Sequence, residues 1–142
     1  MAKGLQGTMP PPTRDERTWA ALAHATILLA PWTGVGGMVA SFFLWAEKKE
    51  DSAYIGWQGL QAWAYQVAVP ALVAVLALAG WGLAGGWLRA QARALVAVAA
   101  LMVLPAYIGY GCYAAYQCAQ GQDFRYFALG RLLGRWHRRY YR

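Results

Sequence analysis

Residues 18–46, TWAALAHATILLAPWTGVGGMVASFFLWA, are 29 residues without a fixed charge between Arg17 and Glu47. One proline and three glycines interrupt this block near its centre. An unbroken helix of this length would be about 43 Å long, whereas the hydrocarbon core of a bilayer is about 30 Å thick. The block therefore predicts either two short helices folded back as a hairpin or one kinked, tilted span.

Local signals place the ends of the two short helices. Thr13–Glu16 has the form of a capping box, which predicts a helix that starts near Arg14. Pro31 is expected to end this helix after Ala30, and 31–37 is typical of a turn. The second helix is then expected from about Val35 to Lys48.

The distribution of basic residues favours the hairpin. A hairpin puts eleven of the thirteen Lys and Arg residues on one side of the membrane, whereas a single kinked span gives eight against five at best. Cytoplasmic flanks of membrane helices collect Lys and Arg. We therefore expect both termini in the cytoplasm. Whether the hairpin crosses the bilayer or only dips into it stays open.

Composition indicates an integral membrane protein. The 142 residues are 59% hydrophobic and only 13% charged, whereas soluble domains are about 45–50% apolar and about 25% charged. Two further uncharged stretches follow the first, 52–88 and 94–122, with Arg89 and Arg93 between them. The net charge of +7 flanks apolar spans, so nucleic acid is not an expected partner.

These patterns predict an all-α integral membrane protein, a small four-helix bundle whose first two helices form a short hairpin, with a C-terminal amphipathic basic helix. The expected divisions are a disordered Pro-rich N-terminus at 1–13, a transmembrane domain at 14–123 and a basic interfacial tail at 124–142. Cys112 and Cys118 lie six residues apart on a predicted helix, on different faces, so both are expected to be reduced.

Uncharged polar residues fall in the half of the predicted bundle nearest the cytoplasm. Gln58, Gln61 and Tyr65 share a helix face because their spacing is i, i+3, i+7. Such groups need hydrogen-bond partners inside hydrocarbon. They either join the helices to one another or line a vestibule that faces the cytoplasm. The candidate cluster is His24, Gln58, Gln61, Tyr65, Tyr110 and Gln117.

The C-terminal tail has a strongly amphipathic pattern. Its apolar positions recur at helical spacing, and arginines occupy the other side. This predicts a helix in the headgroup plane that is attracted to anionic lipid. The alternatives are that it only sets topology, or that it docks an acidic or RNA-containing partner. The candidate lipid- or partner-binding residues are Arg131, Arg135, Arg138, Arg139, Arg142 and Trp136.

Signatures of catalysis are not found in the sequence. It shows no nucleophile–base motif and no phosphate-binding glycine loop. His24 and His137 are far apart and lack the spacing of metal ligands. No Asp or Glu lies in a predicted span, which argues against an ion-coupled transporter. We expect no enzymatic activity, no catalytic residues, no metal and no cofactor.

Three blocks in order, 15–24, 45–66 and 121–126 with Arg131-Leu132 behind it, resemble a widespread bacterial membrane family of unknown function. That family is distantly similar to the twenty-kilodalton Tic subunit of the chloroplast inner-envelope translocon. Gln58 stands where the family has a histidine, and Phe127 stands where it has a proline. The resemblance covers roughly 15–133 and implies a helical membrane domain with a possible link to protein translocation.

Together these features predict a non-enzymatic accessory or structural subunit of a larger membrane complex. One alternative is a pore or insertion component for polypeptides, and another is a lipid-surface adaptor that works through the basic tail. The expected partners are membrane lipids and other membrane-protein subunits or further copies of the chain, with no small-molecule substrate identified. The expected location is the bacterial cytoplasmic (inner) membrane, with multiple passes.

Overall fold

A computed structural model describes residues 11–83 and 88–140, and within these ranges every regular element is helical. The elements in chain order are α1 Arg14–Ala25, a 3₁₀ helix Thr26–Leu29, α2 Ala30–Thr33, α3 Gly36–Lys48, α4 Ala53–Leu83, α5 Leu88–Ala119 and α6 Leu129–Tyr140. No strand occurs in the described part of the chain.

The first helix begins as the capping box predicts. The Thr13 backbone N–H donates to Glu16 Oε2 at 2.7 Å, and the Glu16 N–H donates to Thr13 Oγ1 at 3.3 Å. These two bonds satisfy backbone donors that the first turn of a helix leaves without partners. The predicted start at Arg14 is confirmed.

The predicted stop at Pro31 is wrong, and the break comes three residues later. Pro31 lies in the first turn of α2, where its missing N–H costs nothing because that turn has no backbone acceptor for it. Gly34 then turns the chain with φ of +66°, a conformation that favours glycine. The helical segments that begin at Arg14 therefore continue in succession to Thr33 before the chain reverses its direction.

Contacts at both ends show that α3 returns along α1. Near the reversal, Gly37 lies against the Thr26 carbonyl, where an added Cβ would come within 2.6 Å of the oxygen. At the open end, the Lys48 ammonium lies 5.2 Å from the centroid of the Trp19 ring, and the Ser52 hydroxyl donates to Glu16. The chain thus goes out and comes back within 14–52.

Within the described residues, helices α4 and α5 are the two elements long and apolar enough to cross a membrane, over Ala53–Gly80 and Ala90–Ala119. They run antiparallel, because the Tyr54 hydroxyl donates to the Cys118 carbonyl and the Tyr65 hydroxyl donates to the Tyr107 carbonyl. Each helix contains a proline, Pro70 or Pro105, and continues through it.

Burial divides the molecule into two parts. The base comprises α1–α3, residues 53–70 of α4, 107–119 of α5 and the loop 120–128, and it contains the buried core around Ile27, Tyr65 and Tyr126. The arms are residues 71–83 and 88–106, and nearly all their described side chains are exposed. Helices α1 and α3 lie only in the base and do not accompany the arms, so the predicted four-helix bundle is not confirmed along the length of α4 and α5.

The 3₁₀ helix Thr26–Leu29 contacts α5 closely at a glycine. A Cβ added to Gly111 would lie 2.6 Å from Cδ1 of Ile27, whereas one added to Gly109 meets nothing within 4 Å. Gly111 and Ala114 are buried on one side of α5, where small residues permit close helix contact, whereas Gly109 is exposed.

Replacing Gly111 with leucine should separate the 3₁₀ helix from α5 and lower the free energy of unfolding by about 1–3 kcal/mol, the usual effect of overpacking. Gly109→Leu adds the same side chain to the same helix in open space and is the matched control. Thermal unfolding in mild detergent compares the two. Equal melting temperatures for both variants would contradict the contact.

The Glu16 carboxylate should make folding stability depend on pH. Its hydrogen bonds from the Ser52 side chain and from Thr13 lower its pKa below the ordinary value of 4.5. The stabilisation is therefore fully present above pH 4.5 and is lost as the pH falls through the lowered pKa. Melting temperatures of the wild type and Glu16→Gln, compared from pH 7 to pH 3, should differ most at neutral pH and converge in acid. A constant difference would contradict the assignment.

Candidate functional site

The predicted polar cluster lies in the base, where α1, α4 and the loop after α5 meet. His24 is 1% exposed, and Gln58 and Gln61 are fully buried. Buried polar atoms at such a position destabilise the fold unless each one finds a hydrogen-bond partner. The geometry of the partners therefore decides what the cluster does.

His24 joins two other elements through its two ring nitrogens. Nδ1 lies 3.0 Å from the Tyr126 hydroxyl, and Nε2 lies 3.3 Å from Oε1 of Gln58. Burial, and secondly the nearby Tyr65, raise the pKa of Tyr126, so its hydroxyl keeps its proton and donates to Nδ1. Nε2 then carries the ring proton and donates to Gln58. The arrangement suits a neutral imidazole.

The other end of the Gln58 amide determines its orientation. Nε2 of Gln58 donates to Oδ1 of Asp123 at 3.1 Å and to the Phe124 carbonyl at 3.2 Å. Both partners only accept, so the amide nitrogen must face them. Oε1 consequently faces His24 and also accepts from the Cys118 thiol at 3.5 Å. One side chain thus links α1, α5 and the loop.

Gln61 holds the same loop by its backbone. Its Nε2 donates to the Phe124 carbonyl at 3.0 Å, and its Oε1 accepts from the Tyr126 N–H at 3.3 Å. This two-point pairing resembles one rung of a β ladder, with the side-chain amide in place of a second strand. Because the loop has no regular structure of its own, Gln61 satisfies backbone groups that burial would otherwise leave unpaired.

Aromatic rings surround the amides. The Tyr65 and Tyr126 rings stack with centroids 4.1 Å apart, and the Tyr110 ring meets both edge-on. Tyr65 also stacks on Tyr107 at 5.2 Å. The hydroxyls then exchange bonds between helices: Tyr65 donates to the Tyr107 carbonyl at 3.1 Å, and Tyr107 donates to the Gln66 carbonyl at 3.3 Å. The rings bury apolar area, and the hydrogen bonds of the hydroxyls fix the orientation of the rings.

The structure brings five of the six predicted cluster residues together and leaves one apart. His24, Gln58, Gln61, Tyr65 and Tyr110 lie in or against the same network. Gln117 donates instead to the hydroxyl of Tyr113, one turn earlier on α5. Helical periodicity alone could not give the rotation of α5 about its axis, which decides that difference.

Tyr126 and Gln66 are among the participants that sequence reasoning missed. Tyr126 lies in a loop and had no helical spacing to reveal it, although it belongs to the third quoted block. Gln66 lies eight residues after Gln58 and could have been found on the same face. Its Nε2 donates to the Thr26 hydroxyl at 2.9 Å, whereas its Oε1, directed at Gly37, has no hydrogen-bond partner.

The tail is described only in part. Residues 124–128 belong to the loop of the base, and the tail helix begins at Leu129. Gly130 lies near Oε1 of Gln61, and the exposed Arg131 lies 4.9 Å from the Phe127 ring centroid. The other candidate lipid- or partner-binding groups lie outside what the structure describes. They are the side chains of Arg135, Trp136, Arg138 and Arg139, and the whole of Arg142.

The network is suited to structural bonding more than to reaction chemistry. Within the described residues, no group of three or more His, Cys, Asp or Glu side chains is placed to hold a metal ion. The polar side-chain atoms of Gln58 and Gln61 and both ring nitrogens of His24 are paired with protein groups. Cys112 and Cys118 are free thiols.

Residues 15–133 match the magnetosome magnetite crystal formation protein family (MamF/MmsF). The chain belongs to this family. The matched range contains the whole network, from His24 through Gln58 and Gln61 to Tyr126, and ends inside α6. The magnetosome family is a family of membrane proteins, in agreement with the two apolar helices.

No curated protein and no solved structure matches the chain. The family match confirms the coarser part of the prediction, that the chain belongs to a membrane protein family with a poorly defined role. Its similarity to the chloroplast translocon subunit is not shown by the match and stays a prediction.

Removing the Tyr126 hydroxyl tests the network. Tyr126→Phe keeps the ring stack but leaves Nδ1 of His24 buried without a donor, so the free energy of unfolding should fall by about 1–3 kcal/mol. Tyr113→Phe makes the same change at an exposed hydroxyl and should cost about 0.5 kcal/mol or less. Unfolding of both variants in mild detergent measures the difference. A Tyr126→Phe variant as stable as Tyr113→Phe would contradict the network.

Proposed function

We propose that this protein is a non-enzymatic, multi-pass subunit of the magnetosome membrane that supports magnetite crystal formation as a structural component of a larger assembly. The observation that carries the proposal is the closed hydrogen-bond network of His24, Gln58 and Gln61. The proposed location in the magnetosome membrane and the proposed process, magnetite crystal formation, come from the family to which the chain belongs. The pairing of these buried polar residues with one another and with the loop favours a structural role for them.

A catalytic or transport site would need polar groups that a substrate can reach. His24, Gln58 and Gln61 instead use their hydrogen-bonding atoms on Tyr126, Asp123 and the loop backbone, at 0–1% exposure. Breaking those bonds to admit a ligand would leave several buried groups unpaired, at a cost of about 1–3 kcal/mol each. This cost favours a structural role over a vestibule.

Large apolar surfaces remain for other molecules. Leu72, Leu78, Leu101 and Met102 on the arms are each 59–72% exposed. Such surfaces in a membrane contact lipid or neighbouring subunits. A small protein with a rigid base and long bare helices fits the role of an accessory subunit that packs against others.

The proposed orientation places the base in the cytoplasmic leaflet. Charged residues of the helix ends and connections, including Arg14, Arg17, Lys48 and Lys49, gather at the open end of the hairpin. The arms are joined near Arg89 and Arg93 at the opposite end of α5. By the rule that positive charge stays inside, both termini lie in the cytoplasm.

A second candidate role, as a lipid-surface adaptor, rests on α6. Arg131 and Leu132 are exposed at the start of this helix, and no acidic residue follows Asp123 in the chain. Five arginines from 131 onward would add attraction to anionic lipid. The translocation-pore alternative has no observation of its own in its favour.

The test uses a magnetosome-forming bacterium in which this chain replaces the resident family member. The tagged protein, purified in mild detergent, should bring a stoichiometric set of membrane proteins, and its removal should change crystal size measured by electron microscopy. Tyr126→Phe, expressed to the wild-type level, should restore the crystals because the network is structural. A lone protein whose removal leaves crystals unchanged would contradict the proposal, and a stable Tyr126→Phe protein that fails to restore crystals would assign the network a direct role.

A further inference from the structure

We propose that the α1–α3 hairpin enters only one leaflet of the bilayer, so that the protein is a wedge that fits strongly curved membrane. The sequence left open whether this hairpin crosses. Three observations bear on it: the level that the hairpin tip reaches on α4, the position of the distal charges on α5, and the position of the aromatic residues.

The hairpin tip stops about halfway along α4. Gly37 and Thr26 contact Gln66, and Ala30 and Val69 pack against the same core around Ile27. The reversal at Gly34 therefore lies near or slightly beyond the level of Pro70. From Pro70 to Leu83, α4 continues for about 20 Å without the hairpin beside it.

Charges on α5 mark where the hydrocarbon ends on the far side. Tyr107 is level with Tyr65, as the hydroxyl-to-carbonyl bond of 3.1 Å shows. Arg93 lies fourteen residues before Tyr107 and is thus about 21 Å beyond that level. A core of about 30 Å measured back from Arg93 ends near Tyr113 on α5 and near Gly59 on α4.

That boundary, near Gly59, falls between Trp57 and Trp63 of α4 and next to Gln58 of the polar network. Trp63 stacks on Trp45 with centroids 6.2 Å apart, and Trp57 lies six residues earlier on α4. Trp is enriched at membrane–water interfaces. The boundary also places Gln58, with its bond to the charged Asp123, at headgroup level, where a carboxylate remains hydrated.

Measured from this boundary, the hairpin tip is about 16 Å deep, roughly half of the hydrocarbon core. If the hairpin instead crossed completely, the core would end near Pro70, and about 20 Å of α4 would project into water. That segment contains Leu72, Val75, Leu76 and Leu78, all 59–72% exposed. Exposed apolar surface of this extent favours the single-leaflet position.

The consequence is a difference in width between the leaflets. The leaflet with the base holds α1, α3, α4 and α5, whereas the other holds only the two arms. Helices are about 10 Å across, so the protein occupies about twice as much area in the leaflet with the base as in the other leaflet. A molecule of this shape fits where the leaflet that contains the base is convex. This inference stands independently of any partner complex.

Depth measurements on the full chain in lipid vesicles test the hairpin. In a Cys112→Ala, Cys118→Ser background, a fluorophore is attached after Trp32→Cys at the tip, Leu95→Cys at the distal end of α5, or Glu50→Cys at the base. All three sites are exposed. Nitroxide lipids that carry the quencher in the headgroup or at the end of the acyl chain then report depth.

The tip label should be quenched most by the acyl-chain nitroxide, and the other two labels most by the headgroup nitroxide. A tip label that behaves like the Leu95 label, and is reached by an impermeant quencher from the same side, overturns the proposal. A genetically encoded fluorescent amino acid at positions 32, 50 and 95 gives the same readout if the cysteine background does not fold.

Curvature is measured on the same reconstituted protein. Its surface density on tethered vesicles should rise as vesicle diameter falls, among vesicles into which it inserted with the base outward. Glu50→Cys labelling with an impermeant reagent identifies that orientation. A density that does not change with diameter overturns the wedge.

Discussion

The pairing of two glutamine amides with one irregular loop is the constraint on which the base depends. Gln61 donates to the Phe124 carbonyl and accepts from the Tyr126 N–H, and Gln58 donates to the same carbonyl and to the Asp123 carboxylate. The loop could not be buried without these amides, and without the loop His24 would lose the Tyr126 hydroxyl. Hydrogen bonds between helices in a membrane are individually modest, about 0.6 kcal/mol on average. Here these hydrogen bonds act together, because they join α1, α4 and the loop after α5, which are distant in sequence, at one point.

Much of this architecture was predictable because it depends on local chemistry. The capping box at Thr13 and the all-helical fold follow from residue type and spacing, and the structure confirms both. The shared face of Gln58, Gln61 and Tyr65 follows from helical periodicity. The chain reversal was expected from its proline and glycines, but its position required knowing that Pro31 could begin a new turn.

The remainder depends on tertiary packing, which one sequence does not display. Gln117 and Gln61 are both glutamines on long apolar helices, yet only Gln61 faces the loop, because the rotation of each helix is set by its neighbours. Tyr126 became part of the core through a loop conformation that no periodicity describes. The short reach of the hairpin likewise arises from its register against Gln66, which length and charge left undecided.

The most direct test of the account is the hydrogen-exchange rate of the Tyr126 backbone amide in the intact protein in detergent or lipid. This N–H donates to Oε1 of Gln61 and belongs to a loop, so its protection reports the pairing without assistance from a helix. The account predicts protection comparable to that of buried amides in α4, since opening the loop would expose the whole network. Exchange as fast as that of the exposed connection at Glu50 would show that the loop is not held and would contradict the central claim.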